Sequence, residues 1–273
     1  MLKTLTYNIP RNLNLFDVSL RDGLQTWKNP PSTCEKKQIL HKIASIENVK
    51  NIEVGSIVSN KILPQFNDSI ELYHYTRKKY IHLNPYLLIP NKNMHKIALY
   101  NNIENMSFIT SVSNEFQKKN TNMDLDKTKK ELKYMINNTT GFKKLYISCI
   151  NECPISGVLN TNLIINELLE YIKYPVNEIC ISDTCGTLSY QTLKEILDAV
   201  IPIANLTGHS ITKLSLHLHK NKNINETNNI IKYCVNNYIY KFDVSYIEGG
   251  GCSVTIDNNT LNDNLSYHNF ELL

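Results

Sequence analysis

In "KLSLHLH" (213–219), His217 and His219 flank Leu218, the spacing at which two side chains leave an extended chain on the same side. Two convergent imidazoles are half of a metal site, since neutral imidazole nitrogen is a good ligand for first-row divalent ions. A second cluster lies in "FDVSLRDGLQTW" (16–27), where an apolar run gives way to Arg21, Asp22 and Gln25. Taken alone, Arg21–Asp22 reads better as a surface ion pair of little worth, and Asp-Gly is a common turn dipeptide. A third is "EGGGCSVT" (248–255), whose three glycines let the backbone fold over a ligand. That fold would bring the Cys252 thiol to the ligand as acid, base or nucleophile; an incidental small residue in a glycine loop is the alternative.

The elements that must position these groups are legible in the apolar pattern. Eight β-branched runs recur: "LNLFDVS" (13–19), "NIEVGSIV" (51–58), "HLNPYLLI" (82–89), "NMSFITSV" (105–112), "KLYISCI" (144–150), "EICIS" (178–182), "KLSLHLH" (213–219) and "KFDVSYI" (241–247). Segments with helical spacing lie between most of them, such as "STCEKKQILHKIASI" and "LSYQTLKEILDAVIPIA". Strand and helix alternating eight times predict an α/β fold, a (β/α)₈ TIM barrel forming a single domain over residues 1–273. A doubly wound open sheet is the alternative, but "RDGLQTW" after the first strand is not a glycine-rich phosphate turn. In a barrel the C-terminal strand ends form one rim. That rim would carry Arg21, Asp22 and Gln25 after strand one, Glu53 and Ser56 on strand two, Asp183 after strand six, and both histidines on strand seven. Strands eight and one are neighbours in a closed barrel, which makes Asp22 the natural third ligand beside His217 and His219. The spacing does not choose among Mn²⁺, Mg²⁺ and other first-row ions. Gln25 and Ser56, on the same rim, are candidate substrate contacts.

Other classes fit less well. The net charge of +4 is scattered in pairs such as Lys36-Lys37 and Lys143-Lys144, with no basic stripe interleaved with aromatics, so no nucleic-acid partner is expected. The longest apolar runs are too short to span a bilayer, so no membrane partner is expected. The first fifteen residues lack signal-peptide and transit-peptide character, which predicts a cytoplasmic protein. Seven cysteines, mostly within apolar runs, read as reduced thiols, and Cys149 and Cys153 as packing.

The motifs "VSLRDGLQ", "IEVGSIVSNKILPQFND", "YISCINECPISG", "ISDTCGT", "HLH" and "EGGGC", in this order, resemble those of the 3-hydroxy-3-methylglutaryl-CoA lyase family. This family belongs to the metal-dependent lyase and aldolase barrels that share an Arg-Asp pair on strand one, and the resemblance covers residues 14–273. Leu24 and the Gly-Gly-Cys loop point to the lyases rather than to isopropylmalate synthases. The resemblance implies a divalent metal, Mg²⁺ or Mn²⁺, held by Asp22, His217, His219 and an asparagine after the glycine loop. Asn264 aligns best with that asparagine, with Asn258, Asn259 and Asn262 as alternatives. It implies Arg21 as catalytic arginine, Cys252 as the loop acid, and Glu53 and Asp183 as supporting carboxylates. The implied reaction is retro-Claisen cleavage of a small-molecule acyl-CoA, 3-hydroxy-3-methylglutaryl-CoA or a close analogue, to acetoacetate and acetyl-CoA.

The chain also departs from that pattern. "KNKN" follows His219, which predicts a positive charge from Lys220 beside the metal, and "GGCSVT" replaces the usual "GGCPYA". His268 and Asn269 stand where an acidic pair is usual, and the C-terminus is shortened, which predicts weak CoA affinity or a homodimer covering the barrel end. Three readings follow: a lyase for this thioester, a related aldolase or lyase for a different hydroxy or keto acid, and a catalytically inactive barrel serving as a binding or scaffold protein.

Overall fold

The computed structural model describes residues 7–27, 29–47, 49–59, 61–221, 223–251 and 263–271. Eight parallel strands, β1 (Asn14–Asp17), β2 (Asn51–Ser56), β3 (Asn84–Leu88), β4 (Met106–Ser111), β5 (Lys143–Ser148), β6 (Glu178–Ser182), β7 (Leu214–His217) and β8 (Lys241–Val244), close into one barrel. They stand in chain order, and β8 pairs with β1 in register Phe16↔Asp243. The expected (β/α)₈ barrel is the fold observed. Among the described residues, no helix is long and apolar enough to cross a membrane.

Helices α1 (Thr33–Ala44), α2 (Ser69–Lys79), α3 (Lys92–Tyr100), α4 (Asn114–Thr121), α5 (Leu125–Asn137), α6 (Thr161–Tyr171), α7 (Tyr190–Leu206) and α8 (Ile224–Asn236) form the outer layer. Their starts are set by short polar side chains that accept an otherwise orphaned backbone N–H. Ser32 caps α1 in a reciprocal box with Glu35, and Asn91, Ser113, Asp124, Asn160, Ser189 and Asn223 cap six others. These caps fix where each helix begins after its loop.

Strand alternation splits the core in two. Ile52, Val54, Phe108, Leu145, Ile147, Ile179, Ile181, Leu216, Phe242 and Val244 belong to the main apolar core with the helices. The alternate positions point into the barrel, where Leu88, Tyr146 and Cys180 share the interior with the buried Glu53, Lys144, His217 and Asp243. Continuous apolar strands are what a sheet covered by helices requires. Charges on the inner positions are not, and each must find a partner to be held there.

Candidate active site

After β1 the chain turns through a single π-helical turn, Ser19–Gly23, in which Gly23 N–H donates to Val18 O over 3.1 Å. Such turns widen the backbone locally and re-aim side chains, and they recur at functional sites. Asp17 braces this one: its carboxylate accepts from Ser19 N (2.9 Å), Ser19 Oγ (3.0 Å) and Tyr267 Oη (2.7 Å). Burial nonetheless pushes the Asp17 carboxyl up to about 6. The turn delivers Arg21 and Asp22 onto the rim, both buried.

Arg21 is held from two sides. Its Nε donates to Glu53 Oε2 on β2, and its Nη1 meets Asp22 Oδ1 at 2.5 Å. The guanidinium carbon lies 5.1 Å from the Tyr146 ring centre, and Tyr146 Oη also donates to Glu53 at 3.3 Å. Burial opposes the charge, yet Glu53 and Asp22 hold Arg21 firmly cationic.

Asp22 is the hub of the mouth. Its Oδ2 accepts from Gly251 N (3.0 Å) and Asn264 Nδ2 (2.9 Å) and lies 3.7 Å from His217 Nε2. Burial opposes its charge, but Arg21, His217 and His219 hold its carboxyl well below the usual range. The two imidazoles stand edge to face with centres 5.2 Å apart. β7 ends at His217, so His219 lies just beyond the strand, fixed there by a single antiparallel bridge to Asn264. Both point to the same space, as their spacing requires.

The glycine loop explains how the backbone comes so close. Gly250 and Gly251 have φ of +139° and +105°, and a Cβ at Gly250 would lie 2.7 Å from the Asn264 amide. The loop therefore presses Asn264 and a backbone N–H onto Asp22. Cys252, Asn258, Asn259 and Asn262 lie outside the described residues. Lys220 pairs with a carboxylate, its Nζ 3.6 Å from Asp263 Oδ2.

The donor set suits a divalent ion. One ligand atom each from Asp22, His217 and His219 lies within 4.8 Å of the others, and all three residues are buried. Asn264 Oδ1 is buried with no hydrogen-bond partner, on the side chain whose Nδ2 donates to Asp22, so a fourth donor atom beside the cluster is left for something else. Two imidazoles, a carboxylate and an amide oxygen match an ion that accepts mixed nitrogen and oxygen ligation.

Two cavities meet at Arg21. A small one of about 50 Å³ is lined by Arg21, Asp22, Tyr146, Ser148, Ser182, Thr184 and both histidines among others. A larger one of about 450 Å³ runs from Arg21, Gln25 and Ser56 along Val58, Leu63, Phe66 and Met94. Ser56 Oγ donates to Leu88 O (2.9 Å), and the Gln25 carbonyl accepts from Gln65 Nε2 (3.0 Å). Asp183 serves its own loop, with Oδ1 and Oδ2 accepting from Thr187 N (3.2 Å) and Leu188 N (3.0 Å). Burial pushes its carboxyl up to about 6. Sequence reasoning passed over Lys144, Asp243, Ser148, Ser182 and Thr184. Lys144 and Asp243 carried a usable signal, each being a charge at an inward position of an otherwise apolar strand.

The HMGL-like family model matches residues 12–232, most of the barrel. The chain belongs to the HMGL-like family. Among relatives of this HMGL-like chain, the 3-hydroxy-3-isohexenylglutaryl-CoA/hydroxy-methylglutaryl-CoA lyase of Pseudomonas aeruginosa is 26% identical over 208 residues, 74% of this chain and 69% of that protein. The mitochondrial hydroxymethylglutaryl-CoA lyase of Homo sapiens is 26% identical over 207 residues, 74% of this chain and 63% of that protein. The similar segment thus spans about two thirds of those relatives' own lengths. Two solved structures share the fold. Hydroxymethylglutaryl-CoA lyase from Pseudomonas aeruginosa superposes with a TM-score of 0.80 at 23% identity, covering 95% of this chain and 83% of that one. An HMG-CoA lyase from Acinetobacter baumannii in complex with coenzyme A and 3-methylmalate gives 0.80 at 22% identity, covering 94% and 81%.

Proposed function

We propose that this HMGL-like chain is a divalent-metal-dependent carbon–carbon lyase that cleaves 3-hydroxy-3-methylglutaryl-CoA or a close analogue to acetoacetate and acetyl-CoA. The observation that carries the reading is the convergence of Asp22, His217 and His219 on one point beside the unpartnered Asn264 Oδ1. These four would hold the ion, which when bound supplies Lewis acidity toward a substrate hydroxyl and a neighbouring oxygen.

The chain's own residues divide the remaining work. In a retro-Claisen cleavage the tertiary hydroxyl loses its proton, its oxygen becomes the ketone of acetoacetate, and the carbon–carbon bond electrons pass to the thioester fragment as an enolate. Arg21 lines both cavities, and with Nε and Nη1 committed it retains further N–H groups for the thioester oxygen. A fixed cation beside the developing enolate contributes about 3 kcal/mol, by analogy with oxyanion donors. Glu53 positions that cation. Asp183, whose carboxyl burial pushes up to about 6, is our candidate to accept the hydroxyl proton. Cys252 is the proposed acid that protonates the enolate. The small cavity is our candidate for a carboxylate head, and the larger one, lined by Gln25 and Ser56 among others, for the acyl-CoA arm. The Acinetobacter baumannii complex with coenzyme A supports that class of ligand.

A second reading is favoured by the apolar wall of Val58, Ile62, Leu63, Phe66 and Met94, which exceeds what one methyl group needs. It is a thioester of the same head group with a longer apolar 3-substituent, the type named for the Pseudomonas aeruginosa relative. The test is to strip the protein with chelator, resupply Mn²⁺ or Mg²⁺, and follow acetoacetate from 3-hydroxy-3-methylglutaryl-CoA beside ketone product from a 3-alkyl analogue. Cleavage of the first supports the main reading and cleavage of the second alone supports the other. Ion binding with neither cleaved points to a different acid, and no ion bound points to the scaffold.

A further inference from the structure

Behind His217 lies a chain of buried polar groups that crosses the barrel interior. Asp243 Oδ2 on β8 is 3.1 Å from His217 Nδ1, the ring nitrogen opposite the one that faces Asp22. Asp243 Oδ1 is bonded by Lys144 Nζ from β5, and Lys144 pairs at 2.8 Å with Glu178 Oε1 on β6. Glu178 in turn accepts from Ser215 Oγ at 2.7 Å, which returns the chain to β7, two residues before His217. The Lys144 ammonium lies 3.7 Å from the Phe16 ring centre and 4.8 Å from that of Tyr146, so rings wall it in as well as carboxylates. Asp243 and Lys144 are both almost completely buried. A charge in such a place costs several kcal/mol unless fully paired, and these are paired on both sides.

We infer that Asp243, clamped by Lys144 and Glu178, is the positioning residue for His217: it fixes the proton on Nδ1 and directs the bare Nε2 at the Asp22–His219 cluster. A carboxylate can only accept, so its partner Nδ1 must donate, and the lone pair is then confined to Nε2. Lys144 holds the carboxylate through its other oxygen and prevents it from rotating away. Losing such support commonly lowers metal affinity by about 10–100-fold. The inference rests on the metal reading for His217 but names residues that reading does not use, and it concerns a tautomer and an affinity rather than turnover.

The most direct test needs no variant. In ¹⁵N-labelled protein at pH 8, with and without saturating Mg²⁺, long-range ¹H–¹⁵N correlations are expected to show His217 protonated at Nδ1 and not at Nε2. An Nε2–H tautomer overturns the inference. Asp243→Asn, whose amide can donate as well as accept, is expected to weaken Mn²⁺ binding by about 10–100-fold in a calorimetric titration. Asp243→Glu should recover part of the loss. Lys144→Met should weaken binding in the same direction, and Lys144→Arg should restore most of it. A folded Asp243→Asn with unchanged Mn²⁺ affinity overturns the inference. If the unaltered chain binds neither ion the metal reading fails instead, and the tautomer in the metal-free protein still decides whether Asp243 positions His217.

Discussion

At the N-terminal end of the barrel, Asn14, Asn51 and Asn84 open three adjacent strands and pass hydrogen bonds from one to the next, Asn84 Nδ2 to Asn51 Oδ1 at 3.1 Å and Asn51 Nδ2 to Asn14 Oδ1 at 3.4 Å. At the C-terminal end, Arg21, Asp22, Glu53, His217, His219 and Asn264 are just as polar and more deeply buried. Yet there Glu53 Oε1 and Asn264 Oδ1 have no partner. The ladder is exposed or half-buried, so the amide atoms outside these two bonds can meet water. The mouth keeps charges and acceptors aimed at a common space, an arrangement that is costly unless something arrives to complete it. Polarity alone therefore does not mark the site; incomplete polarity around one point does.

The contrast breaks most visibly at Asp22 and His217. Asp22→Asn or His217→Asn should abolish acetoacetate production from the thioester, measured with added Mn²⁺ against the unaltered protein. Retention of more than about a tenth of the rate would mean that the cluster is not the working site. Arg21→Met should lower kcat by about 10²–10³-fold while Mn²⁺ remains bound, because its part is to stabilise the enolate and not the ion. The same change strands Glu53, so urea unfolding should also show about 3 kcal/mol lost.

Asp17, beneath the rim turn, gives a pH signature. Its folded-state carboxyl keeps a proton up to about 6, whereas in the unfolded chain it does so only up to about 3.9. The folded state thus binds the extra proton, and the stabilisation is complete below about 3.9 and lost as pH rises through 6. Between pH 4 and 7 the difference amounts to roughly 3 kcal/mol. Urea midpoints should fall over this window in the unaltered protein, and Asp17→Asn should lack that share of the fall; parallel profiles would refute it. The smallest effect is expected at the ladder. Asn51→Ala should cost about 1 kcal/mol in urea and leave Mn²⁺ affinity unchanged.

Much of this was legible in the sequence because two periodicities coincide in it. Apolar alternation located all eight strands, and the two-residue spacing of His217 and His219 carried one half of the cluster onto one face. Barrel closure puts the end of β1 on the same rim as the end of β7, with β8 between them, and it is the side chains reaching inward that bring Asp22 to the two imidazoles. What could not be read came from contacts between distant strands. The pairing of Lys144 with Asp243, ninety-nine residues apart, has no local signature beyond a charge in an apolar run. The turn that aims Arg21 is a π-helical one, which no residue pattern announces. The two-residue spacing puts His219 on the strand, whereas β7 stops at His217 and a bridge to Asn264 holds the second histidine. The positive charge expected from Lys220 sits opposite Asp263, a pairing set by the loop's return.

The central claim is that the open mouth is completed by one ion. Calorimetric titration of chelator-stripped protein with Mn²⁺ at pH 8 tests it directly. One ion per chain should bind in the unaltered protein and none, up to millimolar Mn²⁺, in Asp22→Asn. Absence of binding to the unaltered chain over the same range, or equal binding by both proteins, would contradict the account.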